Sequence, residues 1–138
     1  MEIILKWIAD DAIDIWWNQC APYIALGLQD SDGESSAAHV LMAVKAKHTH
    51  LIAGVQPDGM VVGAMAVQFI GYPNYKVAHV YSIGGKNVIT DSKNWGMVKE
   101  WMRSMGASKV QGSCKPAQAR LWRALQFSTA YQIVRQDL

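Results

Sequence analysis

The sequence lacks the features that mark several classes of protein. Its two cysteines, Cys20 and Cys114, lie far apart without metal-ligand spacing, so neither a disulfide scaffold nor a metal site is predicted. No apolar run approaches the roughly 20 residues of a membrane-spanning helix. The N-terminus has no basic segment leading into an apolar stretch, so we expect no secretion signal and a reduced, cytoplasmic protein. No repeat, linker or low-complexity tract appears, which predicts one domain over residues 1–138.

Composition and charge indicate a folded chain with an uneven distribution of charge. Hydrophobic residues make up 51% and charged residues 17%, so the chain can fill a core and disorder is excluded. The net charge is only +2, but residues 1–34 sum to −6 and residues 86–123 to +6. Positive potential over the C-terminal half suits a phosphate-bearing ligand or an acidic partner. The alternative is a set of solvated surface lysines.

The N-terminal third predicts a strand and then two helices. Met1–Trp7 is a short apolar run typical of a strand, and Asp10 or Asp11 can cap the helix that follows. Pro22 lies inside this helix and should kink or divide it. Its apolar residues recur at steps of three and four: Ile13, Trp16, Trp17, Cys20, Ile24 and Leu28. Ser31 and Glu34 have capping-box spacing before a second helix, whose apolar positions are Ala37, Val40, Leu41 and Val44.

From His48 onward the apolar period changes to that of strands. A three-stranded antiparallel meander is predicted over Thr49–Val55, Met60–Ile70 and Tyr75–Ile83. Thr90 or Asp91 can cap a third helix, with Gly106 as its left-handed terminal residue. Three further elements follow: a strand over Ser108–Ser113, a helix starting near Pro116 and a last strand over Thr129–Val134. The order β-α-α-β-β-β-α-β-α-β predicts an α+β fold, a mixed sheet with helices on both faces.

This order resembles the GNAT superfamily of acyl-CoA-dependent N-acetyltransferases. The segment Ala119–Phe127, followed by a predicted strand, resembles the apolar helix with a Gly-Phe end that closes the family's pattern, although Gln126 replaces the glycine. The stretch around Trp16, Trp17 and Pro22-Tyr23 is similar to small stand-alone GNAT-like proteins of bacteriophages. So is the passage from Val61-Val-Gly-Ala through Tyr72-Pro73 to Gly84-Gly85.

The resemblance implies a gap between the fourth and fifth strands that holds acetyl-CoA. The backbone of Val80, Tyr81 and Ser82 would bind the pantetheine arm. The pyrophosphate would lie on backbone N–H groups before the third helix, where aligned peptide dipoles favour an anion. By position, that cradle is Ile83, Gly84, Gly85, Lys86, Asn87 and Val88. Arg120 would meet an adenosine phosphate or a partner's carboxylates, and its alternative is a solvated arginine.

Two departures from the family pattern bear on binding and catalysis. The cradle usually reads Gln/Arg-x-x-Gly-x-Gly/Ala, and Ser82–Asn87 does not have that spacing. Many members carry a general-acid tyrosine on the fourth helix. Here the matching position is Trp122, whose indole cannot exchange a proton at neutral pH. Tyr131 is predicted to replace it only if its hydroxyl reaches the gap.

His79 is the predicted general base. It lies in the middle of the strand that would border the acyl site, and a neutral imidazole there could take a proton from an amine directly or through water. The alternative is a strand histidine satisfied by hydrogen bonds. Trp17 and Tyr23, near the expected kink, are predicted to line the substrate cleft. Cys114 starts an electropositive helix but has no identifiable base, and His48 and His50 have no third metal ligand nearby.

The sequence therefore supports three functional hypotheses. The first is an N-acetyltransferase that uses acetyl-CoA on a primary amine of a small molecule or protein. The second is a GNAT-like module without activity that binds a protein partner, virion-associated or acting on the host if the chain is phage-encoded. The third is modification of a nucleotide or nucleic acid, although the small net charge makes nucleic acid an unexpected partner. A membrane partner is not expected, and a homodimer is compatible with each.

Overall fold

A computed structural model describes residues 2–29, 31–85 and 91–138, which contain a five-stranded mixed sheet. The strands lie side by side in chain order: β1 (Ile4–Ile8), β2 (His50–Val55), β3 (Val61–Gly71), β4 (Lys76–Gly85) and β5 (Lys109–Gly112). β1 to β4 pair antiparallel, and β5 pairs parallel with β4. The parallel pair requires a crossover, and α3 supplies it. The predicted meander and the strand that follows it are thus confirmed.

Helices cover both faces of the sheet, as predicted. The helices are α1 (Ile13–Leu28), α2 (Ala37–Lys45), α3 (Ser92–Ser104) and α4 (Ala119–Ala124), and short 3-10 turns precede α1 and α4. α1 and α2 pack on one face around a core that includes Ile24, Val40 and Leu51. α3 and α4 pack on the other face around Met65, Val80 and Trp95. Within the described ranges, no helix is long and apolar enough to cross a bilayer.

The start of the first helix differs from the prediction. Neither Asp10 nor Asp11 caps α1 through its side chain, because both lie within the 3-10 turn Asp10–Ala12. The helix also runs through Pro22 without being divided. Pro22 is on the exposed side of α1, where water can bond the backbone carbonyl that a proline leaves without a donor. The predicted apolar face is correct, with Ile13, Cys20 and Ile24 almost fully buried.

The second helix has its capping box five residues later than predicted. Ser36 is the N-cap, and the His39 side chain accepts from the Ser36 backbone N–H (3.1 Å). Ser31 instead donates to the carbonyl of Leu28 (2.6 Å) at the end of α1. The prediction of a capping box at Ser31 and Glu34 was wrong. The box forms at Ser36 instead, because the histidine at the third helical position accepts the hydrogen bond that a glutamate usually accepts.

The C-terminal elements are partly confirmed. Asp91 caps α3 by accepting from the Lys93 N–H (2.7 Å), and Gly106 has the expected positive φ of 92°. The last predicted strand, Thr129–Val134, is wrong, since residues 127–138 have no regular secondary structure. Its apolar residues stay exposed because β-propensity produces a strand only where a neighbouring strand pairs with it.

Candidate active site

Strands β4 and β5 are paired over only part of their length. The register joins Val77–Val80 to Lys109–Gly112, and β5 then ends while β4 continues to Gly85. On its other edge β4 stays paired with β3 as far as Gly85. Within the described ranges, residues 81–85 therefore have no strand partner on the β5 side. Their backbone groups on that edge can bind an extended ligand, as an incoming strand would be bound.

A β-bulge lies at the point where β5 stops pairing. Val67 of β3 pairs with Val80, but the preceding Ala66 pairs with Ser82, so Tyr81 is the extra residue of β4. A bulge re-aims the side chains around it. Val80 belongs to the core under α3, whereas Tyr81 packs against the core under α1 and α2. Residues two apart on a strand share a face, so Tyr81 lies on the same face as His79, and the bulge adds Ser82, which bonds to α1, to that face.

His79 is held between two neighbours on the sheet. Its Nδ1 lies 3.2 Å from Nε2 of Gln111, its register partner on β5, and its ring stacks on that of Tyr81 with centroids 6.2 Å apart and planes 8° apart. Partial burial lowers the pKa of His79 below its usual value, and the negative charge of Glu34 opposes this shift. The imidazole is therefore neutral at neutral pH, as a general base requires.

Tyr81 is a side chain whose part in the site the sequence did not suggest. The sequence assigned only its backbone to the site, but its hydroxyl is 2.8 Å from Oγ1 of the buried Thr49, which directly precedes β2. Burial raises the pKa of Tyr81, and the hydrogen bond with Thr49 partly opposes the shift. The phenol is therefore protonated at neutral pH and lies beside the imidazole.

An acidic pair in the connection between α1 and α2 binds the C-terminal segment. Arg135 Nη1 lies 2.8 Å from a carboxylate oxygen of Glu34 and 3.2 Å from one of Asp32. The hydrogen bond from Arg135 is the largest cause that lowers the pKa of Glu34. All three side chains are well exposed, so each ion pair contributes little to stability. The segment predicted as a strand is thus tethered near His79 through a residue that no local pattern singled out.

Close packing of α1 on β4 explains one of the two predicted cradle glycines. A Cβ at Gly84 would overlap the carbonyl oxygen of Tyr23 and lie 2.9 Å from its carbonyl carbon. A Cβ at Gly27 would lie 2.5 Å from the backbone nitrogen of Ile83. The buried Ser82 hydroxyl donates to the carbonyl of Ile24 (2.8 Å) and fixes the helix against the strand. Gly84 is thus required by the helix contact, whatever ligand binds nearby.

The second cradle glycine is also explained by packing. Gly85 has a φ of 105°, and a Cβ there would overlap the carbonyl oxygen of Val62 on β3. The predicted cradle residues Lys86, Asn87 and Val88 lie outside the described residues. At the start of α3 the Asp91 carboxylate already occupies the Lys93 N–H, so this amide is not free for a phosphate. The binding of a pyrophosphate by this cradle therefore stays a prediction.

Trp17 and Tyr23, the predicted substrate-binding residues, both lie on α1. The Tyr23 hydroxyl donates to the carbonyl of Val61 (3.3 Å), and its backbone contacts Gly84. Gly84 is five residues beyond His79, or about 16 Å along an extended strand. Trp17 is half-buried against the core under α1 and α2. Tyr23 therefore lies away from His79, and the part of both residues in substrate binding stays a prediction.

The remaining predicted residues come from the C-terminal part of the chain. Trp122, at the position of the family's tyrosine, packs its ring over Gly112, where β5 ends, and stacks edge-on with Phe127 at 4.8 Å. Arg120 is exposed on α4, and no contact in the described part of the chain ties it to the site. Tyr131 is 69% exposed and lies in the irregular C-terminal segment rather than on a strand. Tyr81 is the tyrosine that stacks on His79, and the part of Tyr131 stays a prediction.

The other residues singled out in the sequence lie elsewhere. Cys20 is buried, which raises its pKa to about 11, whereas Cys114 is exposed. His50 packs edge-on against Phe69 and Trp101, with ring centroids 5.4 and 5.3 Å away. Within the ranges that the structure describes, no three histidine, cysteine or acidic side chains converge on a point that could hold a metal ion.

Known structures share this arrangement over almost the whole chain. A ribosomal-protein-alanine N-acetyltransferase from Brucella melitensis biovar Abortus 2308 superposes with a TM-score of 0.71 at 10% identity, covering 99% of both chains. An aminoglycoside acetyltransferase from an uncultured soil metagenomic sample superposes with a TM-score of 0.70 at 9% identity, covering 99% of this chain and 95% of that one. The fold is the GNAT fold.

The GNAT fold is shared without detectable likeness in sequence. A Trypanosoma brucei acetyltransferase superposes with a TM-score of 0.63 at 16% identity, covering 99% of this chain and 100% of that one. No family model and no curated protein matches the sequence. The likeness thus establishes the fold, and any activity has to be argued from the residues of this chain.

Proposed function

We propose that this chain is an N-acetyltransferase that moves an acetyl group from acetyl-CoA to a primary amine. The observation that carries the proposal is the early end of β5. It leaves the β4 backbone beyond Val80 open on one edge, with a neutral imidazole at the point of divergence. In the GNAT fold this edge is where the acyl donor would lie.

The residues of β4 would hold the donor. Backbone amides of Val80, Tyr81 and Ser82 would bind the pantetheine arm, and the edge as far as Gly85 would continue that contact. The net charge of +6 over residues 86–123, which includes the exposed Arg120, favours a ligand with phosphate groups. Acetyl-CoA supplies the acyl group as a thioester, which an amine can attack.

His79 would serve as the general base and Tyr81 as the proton donor. The neutral imidazole would take the amine proton, directly or through a water molecule, as the new C–N bond forms and the C–S bond breaks. The protonated phenol of Tyr81 could supply the leaving thiolate with a proton, a part the sequence gave to Tyr131. Positioning and polarisation of the carbonyl by backbone N–H groups would supply most of the rate enhancement.

The substrate is proposed to be a cationic amine. Residues 1–34 have a net charge of −6. Two of their carboxylates, on Asp32 and Glu34, lie in the connection between α1 and α2, and the charge of Glu34 acts on the pKa of His79. Opposite charge raises the encounter rate of a cationic substrate. Such an amine could belong to a small molecule or to a protein, and a homodimer stays a prediction for the assembly.

Calorimetric titration with acetyl-CoA tests the proposal. We expect heat of binding and a rise in melting temperature. The absence of both signals at millimolar acetyl-CoA would overturn the proposal. Among variants, His79→Ala should bind acetyl-CoA normally but lose acetyl transfer to an amine panel. His48→Ala, which removes an exposed histidine outside the site, should keep both properties. Equal turnover in the two variants would remove His79 from the mechanism.

The alternative is a GNAT-fold module that binds a partner without catalysis. Two observations favour it: an indole, Trp122, stands where the family has its acid, and the Asp91 carboxylate occupies the start of α3. In that case the chain would be a structural or host-directed protein, for instance of a phage. An intact fold with no affinity for acetyl-CoA would select this alternative. Salt-sensitive binding to DNA would instead select the nucleic-acid hypothesis.

A further inference from the structure

We infer that Gln111 is a positioning residue that decides which nitrogen of His79 carries the proton. The inference concerns the tautomer of the imidazole, and its catalytic consequence rests on the proposed function. It depends on one contact between β4 and β5, at the last stretch where the two strands are still paired.

The register of the parallel pair brings the two side chains together. His79 and Gln111 are register partners, so their side chains leave the sheet on the same face. Both residues are half-buried, and the Gln111 amide nitrogen lies 3.2 Å from Nδ1 of the imidazole. Among the described residues, this is the hydrogen bond made by the His79 side chain.

The hydrogen bond constrains the ring because an amide nitrogen can only donate. Where the amide nitrogen of Gln111 faces Nδ1, the ring must accept at Nδ1 and carry its proton on Nε2. That tautomer has no free lone pair for an amine proton. If the amide oxygen faces Nδ1 instead, it accepts from Nδ1–H and leaves the Nε2 lone pair free. Gln111 therefore selects between a tautomer that cannot act as a base through Nε2 and one that can.

Other groups near the ring act on its charge but not on its tautomer. Tyr81, on the same strand, faces the imidazole with its ring stacked rather than hydrogen bonded. Glu34, in the connection between α1 and α2, favours the protonated ring through its charge. Gln68 on β3 is the other register partner of His79, and it forms no hydrogen bond with the ring. Gln111 is the neighbour that contacts a ring nitrogen.

The substitution Gln111→Glu tests this directly, because a carboxylate can only accept. We expect long-range ¹H–¹⁵N NMR spectra to show His79 in a single tautomer in the wild type and protonated at Nδ1 in Q111E; the proposed function requires Nδ1 in the wild type as well. The pKa of His79 should also rise by about 1 or more beside the new charge. Gln68→Glu is the matched control, since it adds the same charge on the opposite strand. It should raise the pKa of His79 without changing the tautomer.

A mixture of both tautomers in the wild type, or a ring protonated at Nε2 in Q111E, would overturn the inference. If Q111E does not fold, Gln111→Leu replaces it and should leave the ring as a mixture of both tautomers. A ring that stays in one tautomer in Q111L would also overturn the inference. These spectra need no turnover. A single wild-type tautomer protonated at Nε2 would refute the part of His79 as the base and leave the role of Gln111 intact.

Discussion

The substitution Gly84→Ala measures how closely α1 packs on the strand that carries the site. The added methyl would overlap the carbonyl oxygen of Tyr23, and the next nearest atoms, the carbonyl carbon and Cα of that residue, would lie 2.9 and 3.1 Å away. All three are backbone atoms, so no side-chain rotation relieves the overlap. The helix or the strand must move, and the Ser82–Ile24 hydrogen bond ties the two together.

The expected cost is large for a single methyl group. Overpacking of a well-packed interior costs about 1–3 kcal/mol, and the upper end applies here because the neighbours are rigid. Gly96→Ala is the matched control. It lies in α3, where a Cβ would meet nothing within 4 Å, and should stabilise the protein by about 1 kcal/mol because alanine favours helix more than glycine does.

Urea unfolding and thermal melts of the two variants provide the measurement. A chain of this length shifts in Tm by about 3–5 °C per kcal/mol, so G84A and G96A should differ by about 10 °C or more. Equal melting temperatures would show that α1 does not rest on Gly84 in solution, and the packing explanation of this glycine would fail. The wild type should lie between the two variants.

Three further outcomes are expected. Glu34→Gln should lower the pKa of His79, because the carboxylate favours the protonated ring; an NMR titration in which that pKa rises or stays the same would contradict the assigned proximity. Lys47→Gly should stabilise the fold by about 0.5–1 kcal/mol, because Lys47 has a φ of 63° and left-handed strain exceeds the added chain entropy of glycine; a loss in urea unfolding would refute this. A thiol reagent should modify Cys114 in the native protein and Cys20 only on unfolding, since only Cys114 is exposed; mass spectrometry showing fast modification of Cys20 would oppose the burial described.

Local patterns predicted most elements because each depends on neighbours in the sequence. The apolar face of α1 follows from residues three and four apart, and the ends of α3 follow from Asp91 and Gly106. The same reasoning failed where two local solutions compete. Ser36 caps α2 although Ser31 had the expected spacing, because only the folded chain decides which serine lies at the helix start.

The candidate site was predicted in part. His79 could be chosen from its place on a central strand, but Gln111 could not, because their contact is created by the register between strands 32 residues apart. Tyr81 shares a face with His79 by ordinary strand alternation, but its hydrogen bond with Thr49 joins parts of the chain that lie 32 residues apart. Arg135 reaches Glu34 from the far end of the chain. The part of Trp17 and Tyr23 in substrate binding was predicted from the resemblance alone. In the structure the Tyr23 hydroxyl donates to the carbonyl of Val61 on β3.

The sequence by itself determined the layered α+β architecture, since apolar periodicity decides which face of each helix and strand is buried. Only the tertiary structure decided where β5 stops pairing with β4 and that residues 129–134 form no strand. Whether a strand is paired depends on an edge supplied by distant residues, and no local preference records the presence of that edge. The free edge of β4, on which the proposed chemistry depends, is therefore a property of the fold.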